Sequence, residues 1–184
     1  MGKPENFGNT NYEMTISKKS LVRELTSILD KDSVLHELED LKPFECDGLT
    51  AYPKVPLVAV LPYSETEIQK ILKICHKFKV PVVFRGAGTG LSGGAIPYEK
   101  GLLLVLTKLN KILNIDERAR TAVVQPGVRN KAISEAVDSF GLYYAPDPSS
   151  QIACSIGGNV AENSGGVHCL KYGLTVHNIL KLRV

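Results

Sequence analysis

Residues 81–95 read PVVFRGAGTGLSGGA and place Gly86, Gly88, Gly90, Gly93 and Gly94 within nine positions, directly after an apolar, β-branched run. Glycine loses more backbone freedom on folding than any other residue, so this density points to a chain that must pass close to something. With no Cβ atoms in the way, successive main-chain N–H groups can form a concavity that accepts phosphate oxygens. Thr89 and Ser92 add hydroxyl donors, Ala87 keeps the surface small, and Arg85 is the loop's cation. The chemistry on offer is therefore recognition of linked phosphates, mostly by main-chain amides. A plain packing hairpin is the alternative, and Leu91 and Ile96 in the loop argue against it.

The loop contains a formal G-x-G-x-x-G in Gly88, Gly90 and Gly93. That pattern signals a dinucleotide fold only between a strand and a helix whose N-terminus faces the pyrophosphate. Here Pro97 and Gly101 lead straight into another apolar run, so no such helix is expected. A Walker A loop is excluded by the absence of Gly-Lys-Ser/Thr.

A second small-residue stretch, residues 152–166, reads IACSIGGNVAENSGG. Gly157, Gly158, Gly165 and Gly166 permit close approach, while Ser155, Asn159, Glu162, Asn163 and Ser164 supply hydrogen-bonding groups. Just upstream, Asp147 sits in a turn between Pro146 and Pro148, followed by Ser149 and Ser150. Two such stretches read as the walls of one elongated site for a ligand with phosphates and a polar ring system. His168 and His177 stand nine apart without a carboxylate neighbour in sequence, and no metal site is expected.

The elements that must position these stretches follow from periodicity. Residues 20–41 carry two short helical patterns, one through Leu21, Leu25, Ile28 and Leu29, the other through Val34, Leu35 and Leu38. Residues 57–62 form a compact strand. Ser64 and Glu67 are spaced as a capping box before a helix bearing Ile68, Ile71, Leu72, Cys75 and Phe78. A strand over 80–84 closes a β-α-β unit, expected as a parallel pair. Residues 101–109 read as a buried strand, and 112–116 with 121–127 as a hairpin around ERAR. Asn130 caps a helix that stops at Gly141, LYYAPDPSSQ runs from strand into turn, and residues 175–184 begin a further strand. Residues 1–18 read as a loose leader. The mixture is α+β.

Composition is that of an ordinary globular protein: 184 residues, 43% hydrophobic, 22% charged, net charge +3. The charge is too mild and dispersed for nucleic acid. The four cysteines show no paired spacing, and Cys75 on an apolar helix face reads as a buried, inert thiol. No apolar run approaches membrane-spanning length. A cytoplasmic location is expected, with peripheral docking at the inner face of a membrane left open.

In order, PVVFRGAGTGLSGGA, QPGV (125–128), APDPSSQIACSIGGNVAENSGG and HCLKYG (168–173) resemble the FAD-binding domain of vanillyl-alcohol-oxidase-type (PCMH-type) flavoproteins. Within that family they look most like the branch of bacterial glycolate oxidase, D-lactate dehydrogenase and D-2-hydroxyglutarate dehydrogenase. The resemblance covers roughly residues 57–184 and implies two α+β subdomains with FAD stretched between them. It implies cofactor contacts from Arg85, Gly86, Ala87, Gly88, Thr89, Gly90, Ser92 and Gly93, which wrap the pyrophosphate. It implies further cofactor contacts from Pro126 and Gly127 and, along the flavin and ribityl side, from Pro146, Asp147, Pro148, Ser149, Cys154, Ser155, Gly157, Gly158, Asn159, Ala161, Asn163 and Gly165. Asn159 and Asn163 have an alternative reading as loop brackets. Thr89 stands where covalent members often carry histidine, which implies non-covalent FAD.

The implied reaction is oxidation of a small 2-hydroxy acid, glycolate or D-lactate, to the 2-oxo acid, with companion flavoprotein and iron–sulfur subunits as partners. Residues 1–50 are expected as leader and helical segment, and 51–184 as the FAD domain, incomplete at its C-terminus. The substrate-binding cap and catalytic residues are expected beyond Val184, and the chain alone is expected not to turn over substrate. An inactive truncated product and a non-catalytic nucleotide-binding module are the competing readings.

Overall fold

The computed structural model describes residues 14–184; most of the expected leader falls outside them. The first lobe is built on a four-stranded sheet. In chain order it comprises helix α1 (Lys18–Thr26), strand β1 (Val34–Leu35), the single turn α2 (Leu38–Leu41), strand β2 (Val58–Val60), helix α3 (Glu65–Phe78), and strands β3 (Val82–Arg85) and β4 (Leu102–Val105). The sheet order is β1-β2-β4-β3, with β1 antiparallel and the other three parallel.

β4 takes the centre because Leu102, Leu103, Leu104 and Val105 are apolar on both faces and all but fully buried, the signature of a strand covered on both sides. Side chains alternate across the sheet. Val58, Val60, Leu102 and Leu104 pack with Leu21 and Leu25 of α1 and Ile71 and Cys75 of α3. Ala59, Leu103 and Val105 face Leu41, Phe44 and Val83 on the other side. Burial pushes the Cys75 thiol up to about 11, so it stays protonated and inert near neutrality, as its position on the apolar face suggested.

α3 begins at the expected Ser64 cap, but the capping box is not closed, because the Glu67 carboxylate reaches the N–H one residue before the cap. Ser64 Oγ accepts from the Glu67 N–H (3.2 Å), and the Glu67 carboxylate accepts from the Tyr63 N–H (2.7 Å). It ends on Lys79 in the left-handed region (φ 55°).

The second lobe holds a hairpin of β5 (Ile112–Asp116) and β6 (Thr121–Val124), helix α4 (Asn130–Val137), helix α5 (Ile156–Glu162) and the short α6 (Cys169–Tyr172). Val128, Ile133 and Ile156 form its small core with Ile112, Val124 and Tyr144. Gly141 ends the α4 region in the left-handed conformation (φ 67°).

Several expectations are corrected. β2 and β3 are not paired: β4, with its longer apolar run, inserts between them. Val34 and Leu35 are a strand rather than helix, because the edge of β2 offers a ladder that outweighs their local periodicity. Asn130 is the first residue of α4 rather than its cap; Arg129 occupies the cap position. Residues 142–148 contain no strand, since Pro146 and Pro148 remove ladder donors. Residues 152–166 are not a loop throughout but contain α5. Residues 175–184 form one tight turn, Thr175–Asn178, and then irregular chain, as no neighbouring strand among the described residues offers them a partner.

Candidate functional site

The glycine loop leaves β3 at Arg85 and re-enters the sheet at Leu102, next door and parallel. A parallel connection must carry the chain back along the full strand length, a task usually given to a helix. Here residues 86–101 do it without one, passing over the sheet's C-terminal edge.

The loop's backbone is braced from beneath by a segment that its prolines and Gly48 mark in sequence only as extended or looped chain. A Cβ on Gly48 would stand 2.7 Å from the Gly90 carbonyl and 2.9 Å from that of Thr89. Those carbonyls therefore point down at residues 46–49. In a trans peptide the N–H points opposite the C=O, so the amides of Gly90 and Leu91 point away from that support. Among the described residues, none of the ten main-chain N–H groups from Gly86 to Ala95 donates to a protein acceptor.

Arg85 is the second brace. It is only 8% exposed, and its guanidinium donates to the Cys46 carbonyl at 2.7 Å and reaches the Ala95 carbonyl at 3.5 Å. It lies so close under Gly88 that a Cβ there would sit 2.2 Å from Nη2, and Gly88 has φ 71°. Burial pulls the Arg85 pKa below its ordinary value, opposed by the charge of the nearby Asp47. Asp47 is itself buried and accepts from the Leu49 N–H (2.8 Å), an Asx turn that the Asp47-Gly48 dipeptide announces in sequence. Arg85 thus holds the loop together from inside, and the outward face of the loop is left to amides and to Thr89 and Ser92.

The second stretch approaches at Gly86, where a Cβ would meet Ser155 Oγ at 2.1 Å. Ser155 caps α5, but the first-turn amides of that helix are all used: Ile156 donates to Val128 O (2.8 Å), Gly157 to Pro126 O (2.8 Å) and Gly158 to Ser155 Oγ (3.3 Å). Its N-terminus is a joint within the second lobe, with Ser155 beside Gly86, rather than a free anion seat. Pro126 and Gly127 belong to this joint. Gly127 donates to Leu109 O at 2.7 Å, and Gly157 packs on Pro126.

Two candidate residues do interior work. Asn159 is buried; its Oδ1 accepts from Asn130 Nδ2 (2.9 Å), and its Nδ2 lies 3.3 Å from both Cys154 Sγ and Ser164 Oγ. Cys154 is buried beside it. Asn163, left-handed at φ 50°, accepts from the Val176 N–H at 3.0 Å. Ala161 is exposed on α5, Gly165 packs against Leu174, and Pro148 and Ser149 line the turn after Asp147.

Folding brings Asp147 to His168, 21 residues away, which nearest-neighbour reading of the sequence missed. His168 Nδ1 stands 2.7 Å from Asp147 Oδ2, and its main-chain N–H is 3.4 Å from Oδ1. The carboxylate can only accept, so Nδ1 carries the hydrogen. Partial burial raises the Asp147 pKa, but the ring and main-chain hydrogen bonds and the charge of His168 outweigh it and hold the carboxyl below its ordinary value. Tyr172 stacks obliquely near His168 and edge-on to Tyr143.

FAD fits this arrangement on the structure's own terms. A row of amides without protein acceptors on a braced, side-chain-poor loop suits a diphosphate.

A family model described as "FAD binding domain" matches residues 56–184. The chain is 59% identical over 169 residues to the glycolate oxidase subunit GlcD of Escherichia coli K12, covering 92% of this chain and 34% of that protein. It is 40% identical to a D-lactate dehydrogenase of Anaerostipes hadrus, covering 72% of this chain and 28% of that one. The chain spans about a third of the length of the curated relatives it matches. Among solved structures, alkyldihydroxyacetonephosphate synthase superposes with a TM-score of 0.75 at 24% identity over 88% of this chain and 35% of that one, a likeness of fold. p-Cresol methylhydroxylase with substrate bound gives 0.70 at 25% identity, over 79% of this chain and 29% of that one. With its two-lobed α+β fold and its match over residues 56–184, the chain belongs to the FAD binding domain family of vanillyl-alcohol-oxidase-type flavoproteins.

Proposed function

We propose that this chain is the FAD-holding part of an oxidoreductase that converts a small 2-hydroxy acid, glycolate or D-lactate, to its 2-oxo acid. The observation that carries the reading is the run of amides from Gly86 to Ala95 without protein acceptors, held outward by Arg85 and Gly48. The names of the similar proteins, a glycolate oxidase subunit and a D-lactate dehydrogenase, support the substrate class.

In this reading residues 51–184 form the cofactor domain. Gly86, Ala87, Gly88, Thr89, Gly90, Ser92 and Gly93 hold the diphosphate, with Arg85 bracing them from within. Ser155, Gly158, Ala161 and the Pro146–Ser149 turn border the ribityl and flavin end, with Asp147 orienting His168 beside it. When bound, the flavin supplies an acceptor for the hydride from the substrate's α-carbon. The protein's residues bind and orient, and Thr89 provides no covalent linkage, so FAD is held non-covalently. Companion subunits complete the enzyme, and the assembly sits in the cytoplasm or at the inner face of a membrane. Among the described residues no helix is long and apolar enough to cross one.

Titration of the 184-residue chain with FAD tests the reading. The expected result is saturable quenching of flavin fluorescence, with all flavin released by denaturation; a chain that binds no FAD, or keeps flavin after denaturation, contradicts it.

A further inference from the structure

Glu162 ends α5 and reaches across to the glycine loop of the other lobe. The Ser92 hydroxyl donates to its Oε2 at 2.5 Å. Its Oε1 would stand 2.5 Å from a Cβ on Gly94 and 3.9 Å from one on Gly90. The carboxylate therefore lies beside residues 90–94, holding the Ser92 hydroxyl while taking none of the loop's main-chain N–H groups. Among the described residues no ion pair holds it, and Arg85 is turned the other way, onto the carbonyls of Cys46 and Ala95. The main chain beneath Glu162 is fixed by the left-handed Asn163 and by the Ser164 N–H donating to Asn159 O (2.9 Å), whereas Glu162 itself is exposed.

We propose that Glu162 is a built-in competitor for the cofactor's diphosphate: an internal carboxylate on the glycine loop that must swing into solvent before the dinucleotide's phosphates can take the loop. The inference rests on the cradle assigned under the proposed function. Its physical basis is charge. A carboxylate and a diphosphate held side by side, with no basic side chain between them, repel strongly at contact distances. Swinging Glu162 away also frees the Ser92 hydroxyl to donate to a phosphate oxygen. Dinucleotide affinity is then set by an exchange of one anion for another rather than by the loop alone, and Glu162 is a positioning residue that weakens binding of anionic ligands.

The test is binding of FAD and of ADP to the 184-residue chain and to Glu162→Gln and Glu162→Ala, followed by flavin fluorescence and by calorimetry at low and high NaCl. Both variants are expected to bind FAD and ADP about tenfold more tightly than wild type at low salt. That advantage is expected to shrink as salt screens the repulsion. A merely structural role would not produce this salt dependence. Variants that bind as the wild type does, or more weakly, overturn the proposal, the latter because Glu162 would then be accepting from a ligand hydroxyl. A gain that is the same at all salt concentrations also overturns it. Failure of every protein, wild type included, to bind FAD overturns the cradle itself, a result distinct from a wild type that binds FAD with variants that match it.

Discussion

Gly88 and Gly141 share a left-handed backbone, with φ of 71° and 67°, but not their surroundings. A Cβ at Gly141 meets nothing within 4 Å, whereas one at Gly88 would press on the Arg85 guanidinium. Gly141→Ala should therefore cost only conformational strain, roughly 1 kcal/mol, and leave FAD affinity unchanged. Gly88→Ala should cost roughly 2–3 kcal/mol, because the buried guanidinium loses its place, and should weaken FAD binding about tenfold or more. Urea unfolding and FAD titration of the two variants measure this; equal losses would mean Arg85 does not brace the loop. At Asp147 the folded pKa is lowered, so the unfolded chain takes up its proton first as pH falls. The contribution of Asp147 is present above about pH 4, the ordinary carboxylate value, and disappears as pH drops through the lower folded value. His168→Ala should remove that contribution, so wild type and variant melting temperatures should differ at pH 6 and converge toward pH 3. Curves that stay parallel would refute the pairing.

The helices differ in what their caps do. Ser64 caps α3 by accepting from the Glu67 N–H, and Ser64→Ala should cost about 1 kcal/mol with FAD affinity intact. Ser155 caps α5 while lying against Gly86, so Ser155→Ala should lower stability by a similar amount and weaken FAD binding as well. Denaturation and titration of the pair separate the two roles; Ser155→Ala without an effect on FAD would detach α5 from the site. α5 also explains why residues 152–166 misled. Their glycines read as a second ligand loop, but Gly157 is there so that the helix can settle on Pro126, a contact between residues 31 apart. A glycine that admits another backbone and one that admits a ligand look alike in sequence.

For the molecule as a whole, the cofactor should act as a clamp between lobes. FAD at a hundredfold excess over its Kd should raise stability by about 2.7 kcal/mol, and hydrogen exchange should slow at residues 86–95. The amides of β4 are already buried in the sheet and should change little. Protection confined to the second lobe would place the diphosphate elsewhere. Much of this was legible in residue types and order. The buried β4, the Ser64 cap of α3, the hairpin around ERAR, the helix-free glycine loop and the family itself are local patterns, carried by periodicity, turn chemistry and motif spacing. What they could not convey is which distant segments meet. The insertion of β4 between β2 and β3, the strand at Val34, the support of the loop by Arg85 and Gly48, the Asp147–His168 pair and the reach of Glu162 to Ser92 all join residues far apart in the chain. The sequence by itself determined that a helix-free glycine loop follows β3 and which cofactor the family holds. Only the tertiary structure decided which way its amides point and which carboxylate stands beside them, because carbonyl direction and charge neighbours are set by packing across the sheet and between lobes.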